Sequence, residues 1–74
     1  MPSPTAKQLA QRAAFGQRVR DARIRLGKSQ EVLAHDAGLD RSYVGQVERG
    51  ERNVTMDNIY RLSEALGVEA GSLL

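Results

Sequence analysis

Residues 29–50 read SQEVLAHDAGLDRSYVGQVERG, and the fold turns on how this stretch bends back on itself. Ser29 offers a side-chain acceptor ahead of Gln30 and Glu31, where a carboxylate meets the positive end of a helix dipole, so a helix is predicted over 30–37. Its inward residues are Leu33, Ala34 and Ala37, and Gly38 ends it after two turns. Leu39 reads as a buried plug in a tight turn. Asp40 then caps a helix over 41–49, whose narrow apolar stripe is Val44 and Val47 and which Gly50 closes. Two helices of about eight residues, joined by a three-residue turn containing Gly, cross steeply, and the small Ala34 permits the close approach.

Working outward toward the N-terminus, Leu9, Ala13, Phe15, Val19, Ala22 and Leu26 recur mostly at steps of three or four, which predicts one long amphipathic helix over 6–26. Gly16 inside it costs roughly 1 kcal/mol relative to Ala and marks a close helix contact or a bend. Gly27 is its stop, and Pro2 and Pro4 leave residues 1–5 as a frayed tail. Toward the C-terminus, 51–54 is a polar loop and Thr55 caps a helix over 56–66 that carries Met56, Ile59, Leu62 and Leu66. After Gly67 the tail has length for one short helix over 70–74, offering Val68, Leu73 and Leu74. No segment alternates β-branched residues, so the expected fold is all-α: a compact five-helix domain over 6–74.

At 74 residues the chain is one small domain, and a two-domain enzyme is ruled out. No run of apolar residues is long enough to span a membrane, and the polar start MPSPTAKQ lacks the apolar segment of a secretory signal, so a soluble, cytoplasmic protein is expected. Without Cys and with a single His, expected on the exposed face of its helix at position 35, there is no disulfide and no metal site. Nor is there a His–acid pair, a phosphate-cradling Gly loop or mass for a closed pocket, so no catalytic residue, cofactor or small-molecule ligand is expected. Hydrophobic residues at 41% and charged residues at 27% are near globular norms, but a core this small is marginal alone, which favours dimerisation.

Charge is segregated. Residues 1–28 hold seven Lys and Arg against one acid, a net +6, while 29–74 hold four against eight, a net −4. The basic half is either a surface for a polyanion or a solvated helix face. Three scattered aromatics, Phe15, Tyr43 and Tyr60, are too few for a platform that stacks single-stranded bases. The crossing at Gly38 is a helix-turn-helix arrangement, and in DNA-binding versions the second helix enters the major groove with its N-terminal residues on base edges. Helix 41–49 suits that use, with Arg41, Ser42, Tyr43, Gln46 and Arg49 outward and one acid, Glu48.

The strings FGQRVRDARIRLGKSQ, LAHDAGLDRSYVGQVERG and LSEALGV, in this order over residues 15–74, resemble the Cro/phage-repressor (XRE-type) helix-turn-helix family, whose fold is lambda-repressor-like. LDRSYVGQVERGERNVT is similar in particular to the controller proteins of restriction–modification systems. The resemblance implies a sequence-specific regulator of transcription, repressor or activator, that binds double-stranded DNA as a homodimer on a pseudo-palindromic operator. The alternative is an antitoxin, or the detached DNA-binding half of a larger ligand-sensing regulator. Residue by residue, it implies that Gln30 bonds a phosphate and braces helix 41–49, and that Arg41 and Ser42 read bases. A guanidinium takes guanine O6 and N7 in a bidentate way, worth roughly 1–3 kcal/mol of discrimination. Tyr43 and Gln46 are further base readers, and Arg49, Arg52 and Asn53 clamp the backbone. Arg23 and Glu48 match a family pair and are expected to form a partly buried structural bridge.

Lys28 departs from the pattern, which has an apolar residue there; it either leaves a gap in the core or places a cation near phosphate, and it is assigned to the DNA backbone. Ile24 and Val32 fall at usually polar positions, and Ala22 is smaller than usual. Glu31 and Asp36 are either an acidic patch of the kind some relatives present to RNA polymerase, or a helix-start residue and a solvated charge. Ile59, Tyr60, Leu66, Val68, Leu73 and Leu74 are the expected dimer surface.

Overall fold

A computed structural model describes residues 2–74; Met1, part of the expected tail, lies outside them. Four α-helices follow in order: α1 (Ala6–Arg25), α2 (Gln30–Ala37), α3 (Arg41–Glu48) and α4 (Met56–Leu66). There is no strand among the described residues. The expected fifth helix over 70–74 is instead a single 3-10 turn, Ala70–Ser72. A segment this short cannot repay helix nucleation, and it closes with short-range bonds, among them Ser72 Oγ donating to the Glu69 carbonyl at 2.7 Å.

The helix ends follow local chemistry. Thr5 Oγ1 accepts from the Gln8 amide at 3.1 Å while Gln8 Oε1 accepts from the Thr5 amide at 2.9 Å, a reciprocal cap that starts α1. Ser29 and Thr55 accept from the Val32 and Asn58 amides. Asp40 has the extended N-cap backbone, but its side chain makes no capping bond. Leu26 and Arg49 are C-caps rather than last helical residues, because the glycines after them take positive φ.

The core comprises Phe15, Val19 and Ala22 of α1, Leu33, Ala34 and Ala37 of α2, Val44 and Val47 of α3, Leu62 and Leu66 of α4, and Leu73. Several expected inward residues face solvent. Leu9 and Ala13 are exposed, because α1 is about 30 Å long and its N-terminal part runs past the body of the domain, its first buried residue being Phe15; Leu26, its C-cap, is exposed as well. Met56, in the first turn of α4, is 72% exposed. Conversely Leu66 and Leu73, assigned above to a dimer surface, are each 2% exposed: the 3-10 turn packs back against α4 and carries Leu73 into the monomer core. Leu39 is half-buried in its turn.

Of the two readings of Gly16, the close contact is what the structure shows. A Cβ there would overlap the Val47 carbonyl oxygen and lie 2.8 Å from that of Glu48, so α1 meets the backbone of α3 directly. That contact fixes the second helix of the helix-turn-helix against the first helix of the domain.

Candidate nucleic-acid interface

α3 is anchored on its inner side by a bidentate ion pair. Arg23 Nε donates to Glu48 Oε2 at 2.7 Å and Arg23 Nη2 to Glu48 Oε1 at 2.9 Å, while Nη1 donates to the Lys28 carbonyl at 3.0 Å. The Glu48 side chain is 1% exposed and that of Arg23 13%. The Glu48 hydrogen bond pushes the Arg23 guanidinium above its ordinary pKa, against the opposing effect of burial. Gln30 Nε2 adds a third donor to the Glu48 carboxylate, reaching Oε1 at 3.1 Å, so the first residue of α2 is tied to the end of α3. Arg23 and Glu48 therefore hold one another rather than facing outward.

On the outer side, Arg41 and Ser42 in the first turn of α3 are exposed, and neither side chain has a hydrogen-bond or ion-pair partner among the described residues. Every donor of the Arg41 fork is free for a ligand. Tyr43 is placed differently from the outward base reader expected of it. Its half-buried ring packs on the core beneath the Arg52 guanidinium, whose Cζ is 4.9 Å from the ring centroid, and its Oη accepts from Asn58 Nδ2 at 3.1 Å. With an acceptor lone pair so used, the phenol retains its proton to donate. Gln46 Oε1 accepts from Arg52 Nη1 at 3.3 Å, which leaves the Gln46 amide group as a donor. Asn58 was not singled out in the sequence; its cue was only that it stands three residues past the Thr55 cap.

At the far end of α3, Arg49 Nε meets Glu51 Oε2 at 2.7 Å, both side chains being exposed. This pair raises the Arg49 pKa and holds the Glu51 carboxyl below its usual range. Gly45 lies beneath it: a Cβ there would be 3.2 Å from Arg49 Nη1 and 3.6 Å from Gln30 Oε1, so these two side chains converge over a glycine. Asn53 is exposed in the following loop.

Lys28 is not free for a phosphate. Its Nζ donates to Asp36 Oδ2 at 2.9 Å and to the Ala65 carbonyl at 2.8 Å. Ser63 and Glu64 carbonyls are taken by the Val68 and Gly67 amides that close α4, and Lys28 satisfies the next one. Through these two bonds it clamps the α1–α2 turn to α4. Asp36 is correspondingly held below its ordinary pKa, chiefly by the Lys28 bond and to a lesser degree by neighbouring His35. His35 itself is exposed, and no group of side chains suited to a metal occurs among the described residues. No helix among them is long and apolar enough to cross a membrane.

The profile of the helix-turn-helix family matches residues 19–73. The chain belongs to this family. Control protein C.BamHI of Bacillus amyloliquefaciens is 48% identical over 64 residues, covering 85% of this chain and 79% of that one. The solved structure of the restriction-modification controller protein C.AhdI from Aeromonas hydrophila is 54% identical, covers 88% of this chain and 98% of its own, and superposes with a TM-score of 0.86. A hypothetical transcription factor from Neisseria is 40% identical over 100% of this chain and 85% of its own, with a TM-score of 0.85. The protein is thus a helix-turn-helix DNA-binding regulator related to restriction–modification controllers, and its relatives are regulators rather than enzymes.

Proposed function

We propose that the protein is a homodimeric regulator that reads a pseudo-palindromic operator and controls a restriction–modification operon. The observation that carries this is the pairing of a free Arg41 and Ser42 on the first turn of α3 with a Glu48 locked to Arg23 and Gln30 at its other end. A recognition helix needs side chains at liberty on a backbone that is not. In this reading Arg41 and Ser42 read bases, Gln46 presents its amide donor to a base acceptor, and Tyr43 donates its remaining proton to a phosphate. Gln30, Arg49, Arg52 and Asn53 take the backbone on either side. The controller reading rests on the match to C.AhdI over nearly all of that protein's length.

Dimerisation is supported by the marginal core and by Met56 and Tyr60, exposed one turn apart on α4. Leu74 is exposed too, but it lies against α1. Two copies would set their α3 helices about 34–36 Å apart, one helical turn of DNA. The acidic pair on α2 supports no polymerase contact: Lys28 pairs with Asp36, which leaves only Glu31 of the two unpaired.

The test is selection of binding sites from random duplex DNA by the wild-type protein, Arg41→Ala and Arg49→Ala. Wild type should select an inverted repeat. Arg41→Ala should relax preference at one position of each half-site, and Arg49→Ala should weaken binding to all sequences with a shallower salt dependence. Equal loss of preference in both variants would overturn the assigned roles.

A further inference from the structure

The first half of α1 contributes nothing to the core before Phe15, yet it is a well-started helix with a reciprocal cap at Thr5 and Gln8. It is also fixed relative to the recognition helix. Gly50, directly after α3, has φ +76°, and a Cβ there would lie 2.9 Å from Ala13 Cα and 3.0 Å from Ala13 N. The loop that leaves α3 is thus seated on the backbone of α1 at residue 13. Beside that seat is a cleft of about 280 Å³, walled on one side by Gln8, Gln11 and Arg12 of α1 and on the other by Arg52 and Asn53.

Two guanidiniums and three carboxamides converge there over an apolar floor, and no Asp or Glu side chain is among the lining residues. Arg12 is half-buried and has no hydrogen-bond or ion-pair partner among the described residues. Arg52 gives one donor to Gln46 and keeps the rest of its fork. Gln8 accepts from Thr5 through its oxygen, so its amide group remains a donor. A concave site with surplus donors, two cations and no acidic side chain suits a compact anion with several acceptor oxygens. Arg52 and Asn53 are the residues that already face the DNA backbone in the function proposed above.

We propose that this cleft takes a phosphodiester of the duplex that α3 reads, so that the DNA interface extends from α2 and α3 onto the N-terminal half of α1, with Arg12 its principal cation. The inference rests on the DNA-binding reading. It also accounts for part of the basic excess of the first 28 residues, which the helix-turn-helix leaves unused.

The experiment is operator binding between 50 and 200 mM salt for the wild-type protein, Arg12→Ala, Arg12→Lys and Lys7→Ala, with oligomeric state and thermal midpoint followed in parallel. Each phosphate neutralised adds about 0.9 to the slope of log affinity against log salt. Arg12→Ala should lower that slope by about this amount, so that its affinity falls about threefold less across the range, with the selected sequence and the oligomeric state unchanged. Arg12→Lys should restore most of the slope, and Lys7→Ala, outside this cleft, should match the wild type. A wild-type slope in Arg12→Ala overturns the inference while leaving the proposed function intact. Loss of self-association in Arg12→Ala would give the cleft to a second copy instead. Saturable binding of inorganic phosphate abolished by Arg12→Ala, without any change in the operator slope, would assign it to a free anion. A wild-type protein that selects no duplex sequence would overturn the proposed function itself, and the inference with it.

Discussion

Two Arg–Glu pairs flank the C-terminal end of α3, each closed by an Nε–Oε2 contact of 2.7 Å, and they differ in almost everything else. Arg23 and Glu48 stand 25 residues apart in sequence on different helices, are nearly removed from solvent, and the Glu48 carboxylate also accepts from Gln30. Arg49 and Glu51 are two residues apart, exposed, and partnered with nothing deeper. Equal distance therefore does not mean equal worth. In the first pair, each charge left alone would be stranded away from water; in the second, water takes over at once. The inner pair holds the recognition helix, and the outer pair keeps an arginine on hand at its tip.

The sharpest way to break this contrast is Glu48→Ala. Stranding Arg23 should cost about 3–5 kcal/mol, read as a large fall in the urea midpoint, with the protein unfolding before its sequence preference changes. A fall no greater than a surface substitution would show the pair to be ornamental. Next is Gly16→Ala, which adds a methyl against the Val47 and Glu48 carbonyls that carry the inner pair. Backbone on both sides cannot yield cheaply, so a loss of about 1–3 kcal/mol is expected in the same titration, despite the better helix propensity of Ala.

The smallest effect belongs to Glu51→Gln, which should lower the urea midpoint at neutral pH only slightly. Arg49 holds the Glu51 carboxyl below its ordinary value, so whatever this pair contributes is present above the usual carboxylate range. It is lost as pH falls through the lowered folded value. The thermal midpoints of wild type and variant should therefore converge in acid and in high salt. Releasing Arg49 should meanwhile strengthen operator binding, measured at low salt, which would separate the functional role of the outer pair from any structural one.

Much of the site could be read locally. Gly38 ends α2 with a positive φ, Ser29 caps it, and Val44 and Val47 are the only aliphatic side chains on α3, so the inner face of that helix was legible, and with it the outward position of Arg41 and Ser42. Arg23 and Glu48 could be paired only through the family resemblance, because nothing in their spacing brings together residues on different helices. Lys28 shows the limit: a long cation at a turn has many reachable partners, and which it meets depends on where the C-terminus of α4 lies. Leu66 and Leu73 show it again, since an apolar residue near a chain end serves a monomer core or a second copy equally well until the final turn is placed.

Periodicity and capping, which act over one or two helical turns, determined the four helices, the caps at Ser29 and Thr55 and the inward faces of α2 and α3. Tertiary structure alone decided the rest: that α1 overshoots the core, that residues 70–72 close as a 3-10 turn, that Tyr43 turns inward to Asn58, and that Arg12 shares a cleft with Arg52. The reason is one of range. Hydrogen bonds between near neighbours are set by neighbours, whereas the burial of a leucine or the partner of a guanidinium depends on where distant helices cross.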